Sequence, residues 1–264
     1  LAAVGSTTAL INVFINLFMG ISLGANVLAA RYYAAGRDRE MSETVHTSIM
    51  LALISGVVMA FVGVFFAKGA LELMDTPADV IDQSALYMRI YFMGMPFFML
   101  YNYGAAILRA VGDTKRPLYF LIVSGVINAG LNMFLVIVFS LGVAGVAIPS
   151  LISRAVAGFI LYHLLKNPSN EVHLLKEKFR IDWPVIHKIF YIGIPSGIEN
   201  GIFQLGRVIV VSIIAGFGTV QIAANGVANS LDSMGCIVGQ AMNLAMITVI
   251  GRCVGAGDSG QVRY

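Results

Sequence analysis

Long apolar stretches alternate with short polar ones along the whole chain. A helix needs about 20 mostly apolar residues to cross the hydrocarbon core of a bilayer. Seven stretches reach or exceed this length, at about 5–34, 45–67, 85–108, 117–139, 143–166, 187–216 and 223–251. Membrane β-barrels show alternating segments of about ten residues instead. The pattern therefore predicts an all-α integral membrane protein, a polytopic bundle with seven transmembrane helices.

The composition agrees with this interpretation. Hydrophobic residues make up 58% of the chain and charged residues 12%, whereas soluble domains are about half apolar and a quarter charged. The net charge of +3 is carried by basic residues in particular loops, and no basic face indicates a nucleic-acid partner. The predicted partner of the surface is the lipid bilayer.

The loops differ in charge, and this difference predicts an orientation. Loops 35–44, 109–116 and 167–186 carry most of the Lys and Arg residues. The alternate loops 68–84, 140–142 and 217–222 contain one lysine against four acidic residues. Because positively charged loops stay in the cytoplasm, we expect a multi-pass protein of the cell membrane whose C-terminal end is cytoplasmic.

The chain contains an internal repeat. Residues 1–36 align with 222–257 without a gap and share eight identities, among them Arg31 with Arg252 and Gly36 with Gly257. Six predicted spans separate the two starts, so both copies point the same way, as in transporters built from parallel repeats. We therefore expect a piece of a twelve-helix, two-lobe protein with parallel six-helix repeats. Its predicted parts are an N-terminal lobe at 1–166, an inter-lobe loop at 167–186 and the start of a C-terminal lobe at 187–264.

Two carboxylates lie within apolar stretches, where a charge costs about 2.5–3.5 kcal/mol on insertion scales and indicates function. Glu199 and Asp232 are both predicted near the middle of the membrane. Glu199 follows Pro195, which removes a backbone donor, and free carbonyls of a broken helix suit a cation. The alternatives are structural ion pairs of Glu199 with Arg207, or of Asp232 with Arg207 or Arg154.

The glycines around Pro195 form two overlapping GxxxG steps at Gly193, Gly197 and Gly201. Small residues at this spacing allow neighbouring helices to approach closely. The sequence therefore predicts tight helix packing beside Glu199.

The N-terminal half offers neutral polar groups instead of mid-membrane carboxylates. Asn128 and Asn132 are four residues apart and share a helix face, and Ser150 is expected at a similar depth in the next helix. Their amide and hydroxyl oxygens can ligate Na⁺ or orient a proton carrier. The alternative is that they only form hydrogen bonds between helices, which contribute about 0.6 kcal/mol each.

Four segments resemble one transporter family. They are the loop "ILRAVGDTKRP", the segment "GVAGVAIPSLIS", the helix "GIPSGIENGIFQLG" and the ending "GRCVGAGD". In these and in the order of its spans, the chain resembles the second to eighth helices of the MATE (multidrug and toxic compound extrusion) antiporters. The resemblance implies twelve helices in two lobes around a central cavity. It also implies that Glu199 is a cation-coupling position and that Asn128, Asn132 and Ser150 form the polar cluster of the N-terminal lobe.

The predicted function is secondary active export of cationic or amphipathic drugs and toxins in exchange for Na⁺ or H⁺. The site residues are Glu199, Asp232, Asn128, Asn132 and Ser150, with Glu199 as a possible Na⁺ ligand. No cofactor is expected beyond the coupling ion, and the full-length chain is expected to work as a monomer. The alternative is a flippase for lipids or lipid-linked oligosaccharides, from the same superfamily. An enzyme is not expected, because no P-loop, metal-ligand cluster or nucleophile–base arrangement is visible.

Overall fold

The computed structural model describes residues 2–72, 81–139, 142–167, 182–215, 219–258 and 260–261. These residues form helices and turns, and no strand occurs among them. The helices are α1 (Ala2–Ala34), α2 (Asp38–Glu72), α3 (Ile81–Met93), α4 (Met95–Ala110), α5 (Lys115–Ile137), α6 (Gly142–Lys166), α7 (Trp183–Ala215) and α8 (Thr219–Ala256). The all-α fold class is therefore confirmed.

The lengths of the helices fit a bilayer. Four of them contain segments long and apolar enough to cross it, at Asp38–Gly69, Lys115–Ile137, Gly142–Lys166 and Val227–Ala256. The helices α1 and α7 have 33 residues each, which exceeds the length of one crossing. The chain is thus a multi-pass helical membrane protein.

The predicted span over 85–108 consists of two helices, because the chain breaks at Gly94 between α3 and α4. Pro96 lies in the first turn of α4, where its missing N–H leaves no internal hydrogen bond unmade. A Cβ atom on Gly56 of α2 would lie 2.4 Å from Pro96 Cα. Helix α2 therefore packs its glycine directly on the break.

Some predicted loops are shorter than expected. Residues 38–44 belong to α2, so the first polar loop consists of 35–37 and not of 35–44. The charges there support the extension: Asp38 and Glu40 stand in the first turn of the helix, where acids are favoured, and Arg39 Nε lies 3.0 Å from Glu43 Oε1. Helix α7 likewise begins at Trp183 rather than at 187. Residues 73–80, 140–141, 168–181 and 216–218 lie outside the described residues.

The two copies of the repeat end in the same way. Gly36 closes α1 with a φ of 65° and Gly257 closes α8 with a φ of 76°. The Gly36 and Arg37 amides donate to the carbonyls of Tyr33 and Tyr32, and those of Gly257 and Asp258 donate to Val254 and Cys253. These bonds coincide at the repeat offset, and they form a Schellman cap, which requires a left-handed residue after the helix. The repeated glycine is therefore explained by a shared helix ending.

Helix α1 packs against both α7 and α8. A Cβ atom on Gly20 would lie 2.2 Å from Gly197 N, and one on Gly24 would lie 2.3 Å from Ile189 O. Since the residue number falls along α7 as it rises along α1, these two helices are antiparallel. Their backbones come close together at Gly193 and Gly197, as the predicted glycine spacing requires, but a Cβ atom on Gly201 would meet nothing within 4 Å.

Helices α1 and α8 run in the same direction. Asn26 accepts a hydrogen bond from Thr248 at 3.3 Å, and a Cβ atom on Gly255 would lie 2.2 Å from Arg31 O. Residue numbers therefore rise together along both helices, which confirms the parallel direction of the two copies. The end at which α1 and α8 end and α7 begins, called the basic end below, carries Arg31, Arg252 and Lys188.

The buried core lies between α1, α2, α3, α4, α6 and the first turns of α7. Its largest fully buried side chains are Tyr103, Phe92, Ile49, Leu71, Met88, Met95, Met99, Ile107, Leu161, Leu165, Ile189 and His46. The helices α5, α7 and α8 expose much of their surface in this chain. The core therefore fixes the first four helices and α6, against which the polar groups of the membrane interior are placed.

Candidate functional site: a polar cluster and a cavity in the membrane interior

Five side chains of α5 and α6 form one group, called the polar cluster: Ser124, Asn128, Asn132, Ser150 and Ser153. Asn132 Nδ2 donates to Asn128 Oδ1 at 2.9 Å. Asn128 Nδ2 in turn donates to Ser153 Oγ at 3.2 Å and to Ser150 Oγ at 3.4 Å. The structure thus brings together the three residues that the sequence predicts for this half of the protein.

Helix geometry explains this arrangement. Ser124, Asn128 and Asn132 follow each other at steps of four residues, and Ser150 and Ser153 are three apart, so each set lies on one helix face. Ser124 Oγ also donates to the Ser153 carbonyl at 2.8 Å. Ser124 and Ser153 were not predicted, although their spacing from Asn128 and Ser150 was a usable signal.

One acceptor in the polar cluster is not used by the residues that the structure describes. Asn132 Oδ1 is buried and receives no hydrogen bond from any of them. A buried carbonyl oxygen without a partner costs about 1–3 kcal/mol. Such an oxygen can accept a hydrogen bond from a proton carrier or ligate a cation. Asn132 therefore has a free acceptor for the role that the sequence predicts, which is to ligate Na⁺ or to orient a proton carrier.

A cavity of about 250 Å³ adjoins the polar cluster between α4, α5 and α6. Both apolar and polar side chains line it. They are Phe98, Tyr101, Leu121, Ser124, Gly125, Asn128, Ser153, Arg154 and Ala157. Pockets of about 300–1,000 Å³ hold drug-sized molecules, so this α4–α5–α6 cavity suits a smaller molecule or part of a larger one.

Arg154 is the central residue of the 25-residue helix α6. Its guanidinium carbon lies 3.9 Å from the centre of the Tyr91 ring and 4.7 Å from that of Phe98, and its Nη2 donates to the Tyr91 hydroxyl. Among the described residues, no carboxylate forms an ion pair with it, and its buried Nη1 has no acceptor. From the sequence, Arg154 was considered as a partner for Asp232, although an arginine amid apolar residues also signals a role of its own.

Glu199 is the central residue of the 33-residue helix α7. Its side chain is exposed in this chain, and it forms neither a hydrogen bond nor an ion pair with any residue that the structure describes. Arg207, its predicted alternative partner, donates to Asn229 Oδ1 of α8 at 3.4 Å. The close contact of Gly197 with Gly20 lies two residues before Glu199, so packing against α1 fixes the helix next to the carboxylate.

Asp232 lies on α8 and is also exposed in this chain. Its Oδ1 lies 3.7 Å from Cys236 Sγ, which can act as a weak donor. Neither Arg207 nor Arg154 pairs with it in the part of the chain that the structure describes. The polar cluster, Glu199 and Asp232 therefore form separate groups in this structure, and no hydrogen bond joins them among the described residues.

A second cavity, of about 340 Å³, lies between α7 and α8. It is lined by Phe203, Gly206, Arg207, Val210, Asn225 and Asn229. No group of three or more His, Cys, Asp or Glu side chains suited to a metal occurs within the described ranges. A Na⁺ ion at Glu199 would therefore take its remaining ligands from carbonyl, amide or water oxygens.

Many membrane transporters are helical bundles built from repeats of this kind, with polar groups near the middle of the membrane. The chain belongs to the MatE family, whose family model matches residues 1–134 and 195–263. This is a family of transporters.

Curated relatives include the probable multidrug resistance protein YoeA of Bacillus subtilis, which is 30% identical over 99% of this chain. The FAD transporter of Shewanella oneidensis is 23% identical over 98% of the chain. In both cases the chain spans 58% of the relative's length.

Solved structures show the same fold. A MOP superfamily transporter from Pyrococcus furiosus superposes with a TM-score of 0.93 at 22% identity, covering all of this chain and 59% of that one. A MATE protein in a bent conformation gives a TM-score of 0.92 at 21% identity, with 99% and 59% covered.

Proposed function

We propose that this chain is part of a cation-coupled secondary exporter of cationic or amphipathic small molecules, which works by alternating access in the cell membrane. The observation that carries this proposal is Glu199, an acid at the centre of α7 without a basic partner among the described residues. The names of relatives such as YoeA, a probable multidrug resistance protein, support the same substrate class.

The coupling follows from the cost of the charge. A carboxylate in the membrane interior is hard to keep ionised unless a cation accompanies it. Na⁺ or H⁺ neutralises Glu199 when the site faces the outside, and a bound cationic molecule is then released. Loss of the ion on the cytoplasmic side restores the charge, and with it the affinity for the next cationic molecule.

The remaining predicted residues have supporting roles in this proposal. Asp232 supplies a second mid-membrane acid on α8. The polar cluster supplies neutral oxygens, of which Asn132 Oδ1 has no donor within the described part of the chain. The basic end is the cytoplasmic end, because positive loops are retained there. The full-length protein acts as a monomer.

The flippase alternative requires a strongly cationic cavity for pyrophosphate-linked substrates. One arginine, Arg154, lines the α4–α5–α6 cavity, and one, Arg207, lines the cavity between α7 and α8. Two separate single charges favour small molecules over pyrophosphate-linked lipids. The FAD transporter among the relatives has a phosphate-bearing substrate by its name, which indicates that substrate charge varies among similar proteins.

The test is ion-driven dye efflux by the full-length protein in energised vesicles with Glu199→Gln. This change keeps the shape of the side chain and removes its titratable charge. We expect normal insertion and an efflux rate at least tenfold lower under an imposed Na⁺ or proton gradient. Binding of the dye should also lose its dependence on Na⁺ or pH.

The matched control is Glu72→Gln, at the last residue of α2, where the acid is exposed at a helix end. This variant should export at the wild-type rate when protein amounts are equal. If Glu199→Gln exports at the wild-type rate under both gradients, Glu199 is not the coupling residue, and Asp232→Asn becomes the variant to measure.

A further inference from the structure

The α4–α5–α6 cavity contains the positive charge of Arg154, which no described carboxylate neutralises. We propose that this cavity is a binding subsite for small aromatic acids, whose anionic group pairs with Arg154. The subsite lies in the N-terminal half, whereas the proposed coupling acid Glu199 lies on α7. The inference goes beyond the proposed function, because it concerns binding and does not require coupling at Glu199.

The positive charge of Arg154 lies in the membrane interior without a negative partner among the described residues. The residue occupies the centre of α6, where an arginine costs about 2.5–3.5 kcal/mol on insertion scales. The rings of Tyr91 and Phe98 offset part of this cost through cation–π contact, but no anion among the described residues does so. A ligand carboxylate supplies the missing negative charge and can accept two parallel hydrogen bonds from the guanidinium.

The hydrogen bonds of the neighbouring side chains explain why the polar wall of the cavity does not provide acceptors for the Arg154 guanidinium. The Asn128 amide donates to serine hydroxyls, and its oxygen already accepts from Asn132. The Ser124 and Ser153 hydroxyls donate to carbonyls of α6. Within the described residues, Asn128 Oδ1 and Ser153 Oγ therefore accept from the wall's own donors rather than from Arg154, and Arg154 contributes the charge that a ligand meets.

The rest of the lining determines the shape of the ligand. Phe98, Leu121 and Ala157 are apolar, and Tyr101 presents its ring because its hydroxyl donates to the Pro117 carbonyl at 2.9 Å. Aromatic walls favour a flat ring through stacked or edge-to-face contacts. A volume of about 250 Å³ suits a ring system of one or two rings better than a drug-sized molecule.

The experiment measures equilibrium binding to the full-length protein, purified in detergent, by titration calorimetry. The probes are 2-naphthoate and its neutral analogue 2-naphthamide, which differ mainly in the charge that Arg154 would recognise. We expect the wild-type protein to bind the acid at least tenfold more tightly than the amide. Arg154→Gln should remove this preference, and Arg154→Lys should retain part of it.

A second pair of variants tests whether the acid binds in the α4–α5–α6 cavity and leaves Arg154 unchanged. Gly125 lines the cavity, and a Cβ atom there meets nothing within 4 Å, so Gly125→Leu fills space without a backbone clash. Gly130 lies on the same helix with equally open surroundings but does not line the cavity. We expect Gly125→Leu to weaken binding of the acid at least tenfold and Gly130→Leu to leave it unchanged.

Three results would overturn the proposal: equal affinity of the wild type for acid and amide, full preference for the acid in Arg154→Gln, or wild-type binding in Gly125→Leu. If Arg154→Gln does not fold, the glycine pair still decides the question. A Glu199→Gln variant that loses efflux but binds the acid normally would separate this subsite from the proposed coupling.

Discussion

The contact between α1 and α7 depends on the absence of side chains at its glycines, and Gly20→Ala tests this directly. A Cβ atom added at Gly20 would lie 2.2 Å from Gly197 N, 2.3 Å from Gly197 Cα and 2.9 Å from the Ser196 carbonyl carbon. All three atoms belong to the backbone of α7. The added methyl group therefore meets atoms that cannot rotate away, and the helices themselves must separate.

The required movement follows from these distances. Ordinary van der Waals contact begins at 3.4 Å, so the shortest distance is about 1.2 Å too small. Forcing one extra methyl group into a packed contact costs about 1–3 kcal/mol. A cost of this size disfavours the packed arrangement of α1 and α7 by about 5–150-fold.

The assay is thermal unfolding of the full-length protein in detergent, combined with the efflux measurement. We expect the Tm to fall by a few degrees, because a loss of 1 kcal/mol lowers it by about 2–4 °C in chains of 150–250 residues and by less in longer chains. Efflux should fall as well, because Gly197 lies two residues from Glu199 on the same helix.

The control is Gly201→Ala, one turn further along α7, where an added Cβ atom meets nothing within 4 Å. Replacing a helical glycine by alanine without a clash is neutral or stabilising by up to about 1 kcal/mol. Equal Tm values for Gly20→Ala and Gly201→Ala would refute the close approach of α1 and α7, and with it the role given to the glycine spacing.

Two further predictions concern the helix ends and the orientation. Gly36→Ala forces a side chain into a φ of 65° without any clash and should lower the free energy of unfolding by about 1 kcal/mol. Gly69→Ala, inside α2 and equally uncrowded, should not lower it. Equal free energies of unfolding for the two variants would contradict the backbone strain at Gly36. Cysteines at Arg37 and Asn170, in a background without native cysteines, should resist an impermeant thiol reagent in intact cells, whereas one at Asp79 should react. Labelling of all three from outside would reverse the predicted orientation.

The sequence predicts the helical class, the direction of the repeat and three of the five members of the polar cluster, because each depends on the position of residues within single helices. Apolar stretches of sufficient length indicate helices, and residues four apart share a face, as Asn128 and Asn132 do. The parallel direction of α1 and α8 follows from the six predicted spans that separate the start of one copy from the start of the other. These features need no knowledge of which helices touch.

Features that depend on contacts between distant helices were not predicted. The close packing of Gly56 on Pro96, 40 residues away in sequence, joins two different helices and could not be read from either one. The cation–π contacts of Arg154 require α3 and α4 to face the centre of α6. The alternatives that paired Arg207 with an acid failed for the same reason, since its described partner is Asn229 on α8.

The distribution of these contacts bears on how the transporter would expose its polar groups. The packing of α1 against α7 and α8 extends from the basic end, where Lys188 donates to the Tyr32 hydroxyl, to Gly20 and Gly197 near the centre of α7. Beyond that point, towards the opposite end, α7 presents mainly exposed side chains in this chain. Glu199 stands at the boundary between the two regions. Opening the basic end to reach Glu199 from that side requires separation of the glycine contacts. We therefore expect the α1–α7 contact to be broken and remade in each transport cycle.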